Sequence, residues 1–134
     1  MVILDTNIII DHIRIPKKSD SHFIKIAHLK PKETFALSVI SIQELYAGKS
    51  SKEIEKEKDM LAIIIVLQVL PYTYNVAQLA GEIIRDSKNP ISFADAAIAS
   101  TAILNNGDLA TLNKKHYQNI KGLQFVDTAK SSAS

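Results

Sequence analysis

Apolar residues fall into two patterns along this chain. Short unbroken runs such as Val2-Ile3-Leu4 and Phe35-Ala36-Leu37 end at polar residues, Asp5 and Ser38. Runs of that kind read as strands covered on both faces. Between them, apolar positions recur at helical spacing: Ile8, Ile9, Ile10 and Ile13; Phe23, Ile26 and Ala27; Val76, Leu79, Ala80, Ile83 and Ile84. The pattern predicts strands at 2–4, 34–39, 68–72, 108–112 and 123–126. Helices are predicted after Asp5-Thr6-Asn7, over 19–29, after a Ser41 cap, and over 52–66, 73–87 and 92–106. Pro16, Pro31, Asn89-Pro90 and Asn106-Gly107 punctuate them. Aliphatic strands alternating with helices predict an α/β fold with a mostly parallel sheet and helices on both faces.

The 134 residues suffice for one domain with a real core. Residues 1–128 are expected to form it, and 129–134, rich in serine, to be a frayed tail. A net charge of +2 is too small to argue for nucleic acid by itself. The absence of cysteine excludes disulfides and thiolate metal sites. The start lacks a basic and apolar leader, and the aliphatic run 61–67 is far short of the ~20 residues of a membrane span. A cytoplasmic location without membrane contact is the expectation.

Ligands of parallel sheets bind beyond the carboxyl ends of the strands. Asp5 follows the first strand, Glu44 lies early in the helix after the second, and Asp95 lies in the first turn of the Ala-rich helix. Three converging carboxylates would repel one another, and a divalent cation with oxygen ligands relieves that. Each also has a simpler reading. Asp5 can cap the first helix, Glu44 can be a solvated helix residue, and Asp95, three after Ser92, can complete a capping box. His12, His22, His28 and His116 lack the paired spacing of a helical zinc site.

Four segments together resemble a known family: 3–11 around Asp5-Thr6-Asn7, 37–48 around Glu44, 92–99 around Asp95, and 109–117 around Asn113. The chain resembles the PIN-domain ribonucleases, in particular the VapC-type toxins of toxin–antitoxin pairs. The resemblance implies a PIN-like parallel five-stranded sheet. It implies Mg²⁺ or Mn²⁺ held by Asp5, Glu44 and Asp95, with Asn113 as a neutral version of a fourth, often acidic, position. Thr6, Asn7, Ser38 and Thr111 match positions that orient the acids and their waters. The implied reaction is hydrolysis of RNA phosphodiesters to 5′-phosphate and 3′-hydroxyl ends. The implied partners are RNA, a second copy and an antitoxin protein.

Lys114, Lys115 and His116 follow Asn113 and are candidates for phosphate contacts, though each also reads as a solvated charge. Ile13, Phe23, Ile63, Ile64 and Ile65 read as core or as an interface. Competing readings are a PIN nuclease of RNA maturation or decay without a toxin role, a non-catalytic PIN-like RNA-binding scaffold, and a phosphatase or receiver-like domain with Asp5 as nucleophile.

Overall fold

The rest of the chain is laid around one strand, β1 (Val2–Leu4). Parallel neighbours flank it: β2 (Phe35–Ser38) on one side and β4 (Asp108–Ala110) on the other. Beyond β2 lies β3 (Gln68–Leu70), giving the order β3-β2-β1-β4. The structure, a computed structural model, describes residues 1–127. The expected tail, 129–134, and the expected domain end at 128 lie outside the described residues.

Among the described residues six α-helices connect and cover the strands: α1 (Thr6–Arg14), α2 (His22–Leu29), α3 (Val39–Ala47), α4 (Ile54–Ile64), α5 (Tyr74–Asp86) and α6 (Phe93–Leu104). The alternation of side chains along each strand divides the interior in two. Val2, Leu4, Leu37 and Ala110 point to one face, against Ile8, Ile9 and Ile13 of α1, Phe23 of α2 and Met60 and Ile63 of α4. Ile3, Ala36, Leu70 and Leu109 point to the other, against Ile98, Ala99 and Ala102 of α6 and Tyr117. α6 is buried almost all round from Ala96 to Ala102. Its alanines let it lie close to the sheet, and α5 packs over its outer side.

Several boundaries differ from expectation. The expected fifth strand at 123–126 is reduced to one parallel bridge, Leu109 to Phe125. It is made by Leu109 N–H donating to Gln124 O at 2.8 Å and Val126 N–H to Leu109 O at 2.9 Å, so the sheet has four strands. The helix expected over 19–29 is a 3-10 turn (Lys18–Asp20) and then α2, divided by Ser21, whose Oγ accepts the Ile24 N–H at 3.2 Å. Asp11 of α1 also holds the start of α2, its Oδ2 accepting the His22 N–H at 2.9 Å. Helix α3 is capped by Ser38 at the end of β2 and not by Ser41. Ile13, Phe23 and Ile63 belong to the core, whereas Ile65 is 83% exposed. Among the described residues no helix is long and apolar enough to cross a membrane.

Candidate active site

The carboxyl ends of β1, β2 and β4 open on one edge of the sheet. Each hands the chain directly to a polar residue there: Asp5 after β1, Ser38 at the end of β2, Thr111 after β4. Of the three acids Asp5 is the most buried, at 5% exposure. Its backbone N–H donates to Ala110 O at 2.9 Å, continuing the β1–β4 ladder. Its side chain caps α1, with Oδ1 accepting the Thr6 N–H at 2.7 Å. Capping leaves Oδ2, which accepts the hydroxyls of Thr111 at 2.7 Å and Tyr117 at 3.0 Å.

Glu44 and Asp95 reach the same edge by different routes. Glu44, on α3 and open to solvent, turns Oε1 to the Thr6 hydroxyl at 2.7 Å. Thr6 Oγ1 also shares a hydrogen bond with buried Ser41 Oγ at 2.8 Å. Asp95 sits in the first turn of α6, its N–H donating to the Ser92 cap at 3.0 Å. Among the described residues, the carboxylate of Asp95 does not close a capping box. Instead Oδ1 accepts the Tyr117 hydroxyl at 3.2 Å, and Oδ2 faces His116 Nδ1 at 3.6 Å.

The electrostatics follow from that crowding. Burial pushes the Asp5 carboxyl above the usual carboxylate range. Bonds from Thr111, Tyr117 and the Thr6 N–H offset part of this, while the charge of Asp95 adds to it. Glu44 is likewise raised, first by desolvation and then by the charges of Asp5 and Asp95, against the bond from Thr6. The Tyr117 hydroxyl, buried and facing two acids, is driven far up and stays protonated. No Lys or Arg pairs with the three acids among the described residues.

The remaining candidates divide. Asn7 braces the β4 end, its Nδ2 donating to Thr111 Oγ1 at 3.3 Å and its Oδ1 accepting the Leu112 N–H at 3.2 Å. Ser38 touches no acid; its Oγ accepts the Ile40 N–H at 3.2 Å and so starts the helix that carries Glu44. Asn113 meets the acids only through neighbours. Its N–H donates to Thr111 Oγ1 at 3.0 Å, and its Nδ2 lies 2.9 Å from His116 Nε2. Lys115 and His116 are exposed at the rim. The Lys114 ammonium lies 5.5 Å over the Phe125 ring, a cation–π contact. Tyr117, 1% exposed, is the residue that sequence reasoning missed. The available signal was general: a buried tyrosine hydroxyl needs a partner.

The donor set is all oxygen, acidic and without a paired side-chain cation, which suits a hard divalent ion. Among the described residues no three His, Cys, Asp or Glu side chains close on one point; the acids are joined through hydroxyls. Mg²⁺ commonly takes one or two carboxylates directly and keeps several waters, so an open arrangement of this kind fits it.

Comparison with known proteins agrees with this architecture. The PIN domain family matches residues 2–122. Ribonuclease VapC2 of Rickettsia felis is 32% identical over 125 residues, covering 90% of this chain and 92% of the relative. Ribonuclease VapC10 of Mycobacterium tuberculosis is 29% identical over 120 residues, covering 87% and 86%. Among solved structures, the chain is similar to one in VapBC2 from Rickettsia felis bound to a DNA fragment from their promoter. There the TM-score is 0.76 and identity 30%, with 94% of this chain and 98% of that one covered. Another likeness is to DNA-bound VapBC from Salmonella typhimurium, at TM-score 0.75 and 25% identity, covering 96% and 98%.

Proposed function

The chain belongs to the PIN domain family and within it to the VapC ribonucleases, and on that premise we propose that it is a metal-dependent endoribonuclease, the toxin of a VapBC-type toxin–antitoxin pair. Its substrate is RNA, cut to leave 5′-phosphate and 3′-hydroxyl ends. The observation that carries the proposal is the meeting of Asp5 and Asp95 on one tyrosine hydroxyl, at 3.0 and 3.2 Å, with Glu44 tied to the same edge through Thr6.

Asp5, Glu44 and Asp95 are the residues that would hold Mg²⁺ or Mn²⁺. Such an ion would supply the charge that makes a water acidic and offsets the negative charge developing on the phosphoryl and leaving oxygens. The chain's own contribution is orientation. Thr6 holds Glu44 Oε1 and, through its N–H, Asp5 Oδ1. Thr111 holds Asp5 Oδ2. Asn113, half-buried beside them, carries a neutral carboxamide that hydrogen-bonds water without adding negative charge where a polyanion must approach. Lys115 and His116 at the rim are exposed cationic and polar contacts for flanking phosphates.

The proposal extends to partners. Likeness to chains in VapBC complexes supports an antitoxin partner, and a homodimer is part of the same reading. Exposed Ile65, Val66, Tyr72 and Tyr74 offer apolar surface for association.

The deciding experiment is cleavage-site mapping on total RNA with Mg²⁺ or Mn²⁺, comparing the protein with its Asp5→Asn variant. Discrete new 5′-phosphate ends are expected from the first and not the second. Equal cleavage by both would remove Asp5 from the chemistry.

A further inference from the structure

We propose that Tyr117 is a positioning residue for the metal centre: its one hydroxyl hydrogen, shared between Asp5 Oδ2 and Asp95 Oδ1, holds these acids together and determines which of their oxygens remain to meet a cation. The inference rests on the functional reading above and adds a residue to it.

The argument is a count of lone pairs. A carboxylate oxygen accepts about two hydrogen bonds. Asp5 Oδ2 takes two, from Thr111 at 2.7 Å and Tyr117 at 3.0 Å, and is filled. Asp5 Oδ1 takes one, from the Thr6 N–H at 2.7 Å, and keeps one free. On Asp95, Oδ1 takes Tyr117 at 3.2 Å. Oδ2 has only His116 Nδ1 at 3.6 Å, beyond hydrogen-bonding reach. Only Asp5 Oδ2 is therefore closed to a cation; Asp5 Oδ1 and Asp95 Oδ1 each keep one site, and Asp95 Oδ2 is wholly open. Phenylalanine would fill the same buried volume without fixing either acid.

The position of Tyr117 explains how the clamp is held. It ends the 3-10 turn Lys114–Tyr117, and its ring packs with Ile3, Ile98 and Leu109 between sheet and α6. A ring anchored on β1, β4 and α6 reads the spacing between the elements that carry Asp5 and Asp95. The hydroxyl links the two acids only when those elements are in register. Its proton is also the donor shared by both charges, so it lowers the repulsion that would otherwise splay them.

The test is Mn²⁺ binding to the full chain, followed by the electron paramagnetic resonance of the free ion, for the wild type, Tyr117→Phe and Asp5→Asn. Weakening of roughly 10–100-fold is expected for Tyr117→Phe, the range seen when groups supporting metal ligands are removed. Binding should vanish for Asp5→Asn. RNA cleavage by Tyr117→Phe should recover as Mn²⁺ is raised, with KM for RNA unchanged at saturating metal; a merely structural role gives no such rescue. Mn²⁺ affinity equal to wild type in Tyr117→Phe would overturn the clamp and leave the metal centre standing. Failure of the wild type to bind Mn²⁺ would overturn both. A measurement on the unmodified protein stands beside these: the Tyr117 ¹³Cζ resonance should move on Mg²⁺ addition, and a resonance unmoved at saturation contradicts the proposal even if the variant does not fold.

Discussion

The hydroxyl of Thr111 donates to Asp5 Oδ2 at 2.7 Å across 106 positions of sequence. Parallel pairing of β1 with β4 makes the contact, since each residue is the first after its strand. Thr111 also accepts from Asn7 Nδ2 and the Asn113 N–H, so one side chain ties residues 5–7 to residues 111–113. Thr111→Val keeps the shape and removes the donor. A buried carboxylate that loses a partner costs about 1–3 kcal/mol, and activity should fall roughly 10–100-fold. Chemical denaturation and single-turnover cleavage measure the two effects; a variant unchanged in both would show that Asp5 does not depend on this bond.

Acidification should stabilise the metal-free protein over part of the range. The carboxyls of Asp5 and Glu44 are raised in the folded state. A raised acid takes up its proton more readily folded than unfolded, so its stabilising share is complete below the unfolded value near 4 and is lost as pH rises through the folded value. Without metal these two acids should therefore raise the melting temperature as pH is lowered from neutrality toward about 4, against half-buried His12, whose ring desolvation and Lys18 hold below its usual value and which opposes folding once acidified. Asp11 acts in the opposite sense lower down: against the desolvation that would raise it, the His22 N–H and ring hold it below the usual range. Its contribution is lost as pH falls through that depressed value. Saturating Mg²⁺ should flatten the upper part of the curve. A metal-free wild type whose melting temperature gains nothing on that of Asp5→Asn between about pH 7 and pH 4 contradicts the assignment of burial and mutual repulsion.

Ser92 gives a milder test. Its Oγ accepts the Asp95 N–H at 3.0 Å and starts α6. Ser92→Ala should cost about 1 kcal/mol and loosen the first turn that aims Asp95. The expected result is lower stability with weaker Mn²⁺ binding and an unchanged cleavage pattern on RNA. Mn²⁺ affinity equal to wild type would mean that the cap and the carboxylate are independent.

Sequence made the strands and helices legible where aliphatic runs were long and capped, and failed where a choice depended on distant neighbours. Ser38 and Ser41 are both good caps by type. The helix begins at Ser38 because β2 runs straight into it, and Ser41, fully buried, faces Thr6. Asp95 next to Ser92 read equally well as half of a capping box, and only Tyr117, 22 positions away, draws its carboxylate elsewhere. Residues 123–126 have strand composition, yet only Leu109 pairs with them. The acids themselves stood out through order and resemblance, whereas their hydroxyl supports span chain separations that no local pattern encodes.

Gly107 separates stability from the site. A Cβ there would stand 2.8 Å from Ile3 Cγ1 and 3.1 Å from its Cδ1, with the Met1 carbonyl oxygen at 3.4 Å. Ile3 is fully buried and has no room to retreat. Gly107→Ala should cost about 1–3 kcal/mol by overpacking. Gly107 stands before β4, at the sheet end opposite the acids, and reaches the site only through Ile3 packed on Tyr117, so Mn²⁺ affinity of the folded fraction should fall less than in Tyr117→Phe. Wild-type stability by denaturant titration would refute the clash.

The order in which the pieces of the site leave the ribosome has a physiological side. All three acids have emerged by residue 95, but β4, Thr111 and Tyr117 come later, the tyrosine 112 positions after the Asp5 it steadies. Long-range parallel pairing of this kind forms late. A nascent chain stalled before β4 lacks one flank of its central strand and the hydroxyls that brace Asp5, so interrupted synthesis yields fragments that carry the acids without the frame that orients them.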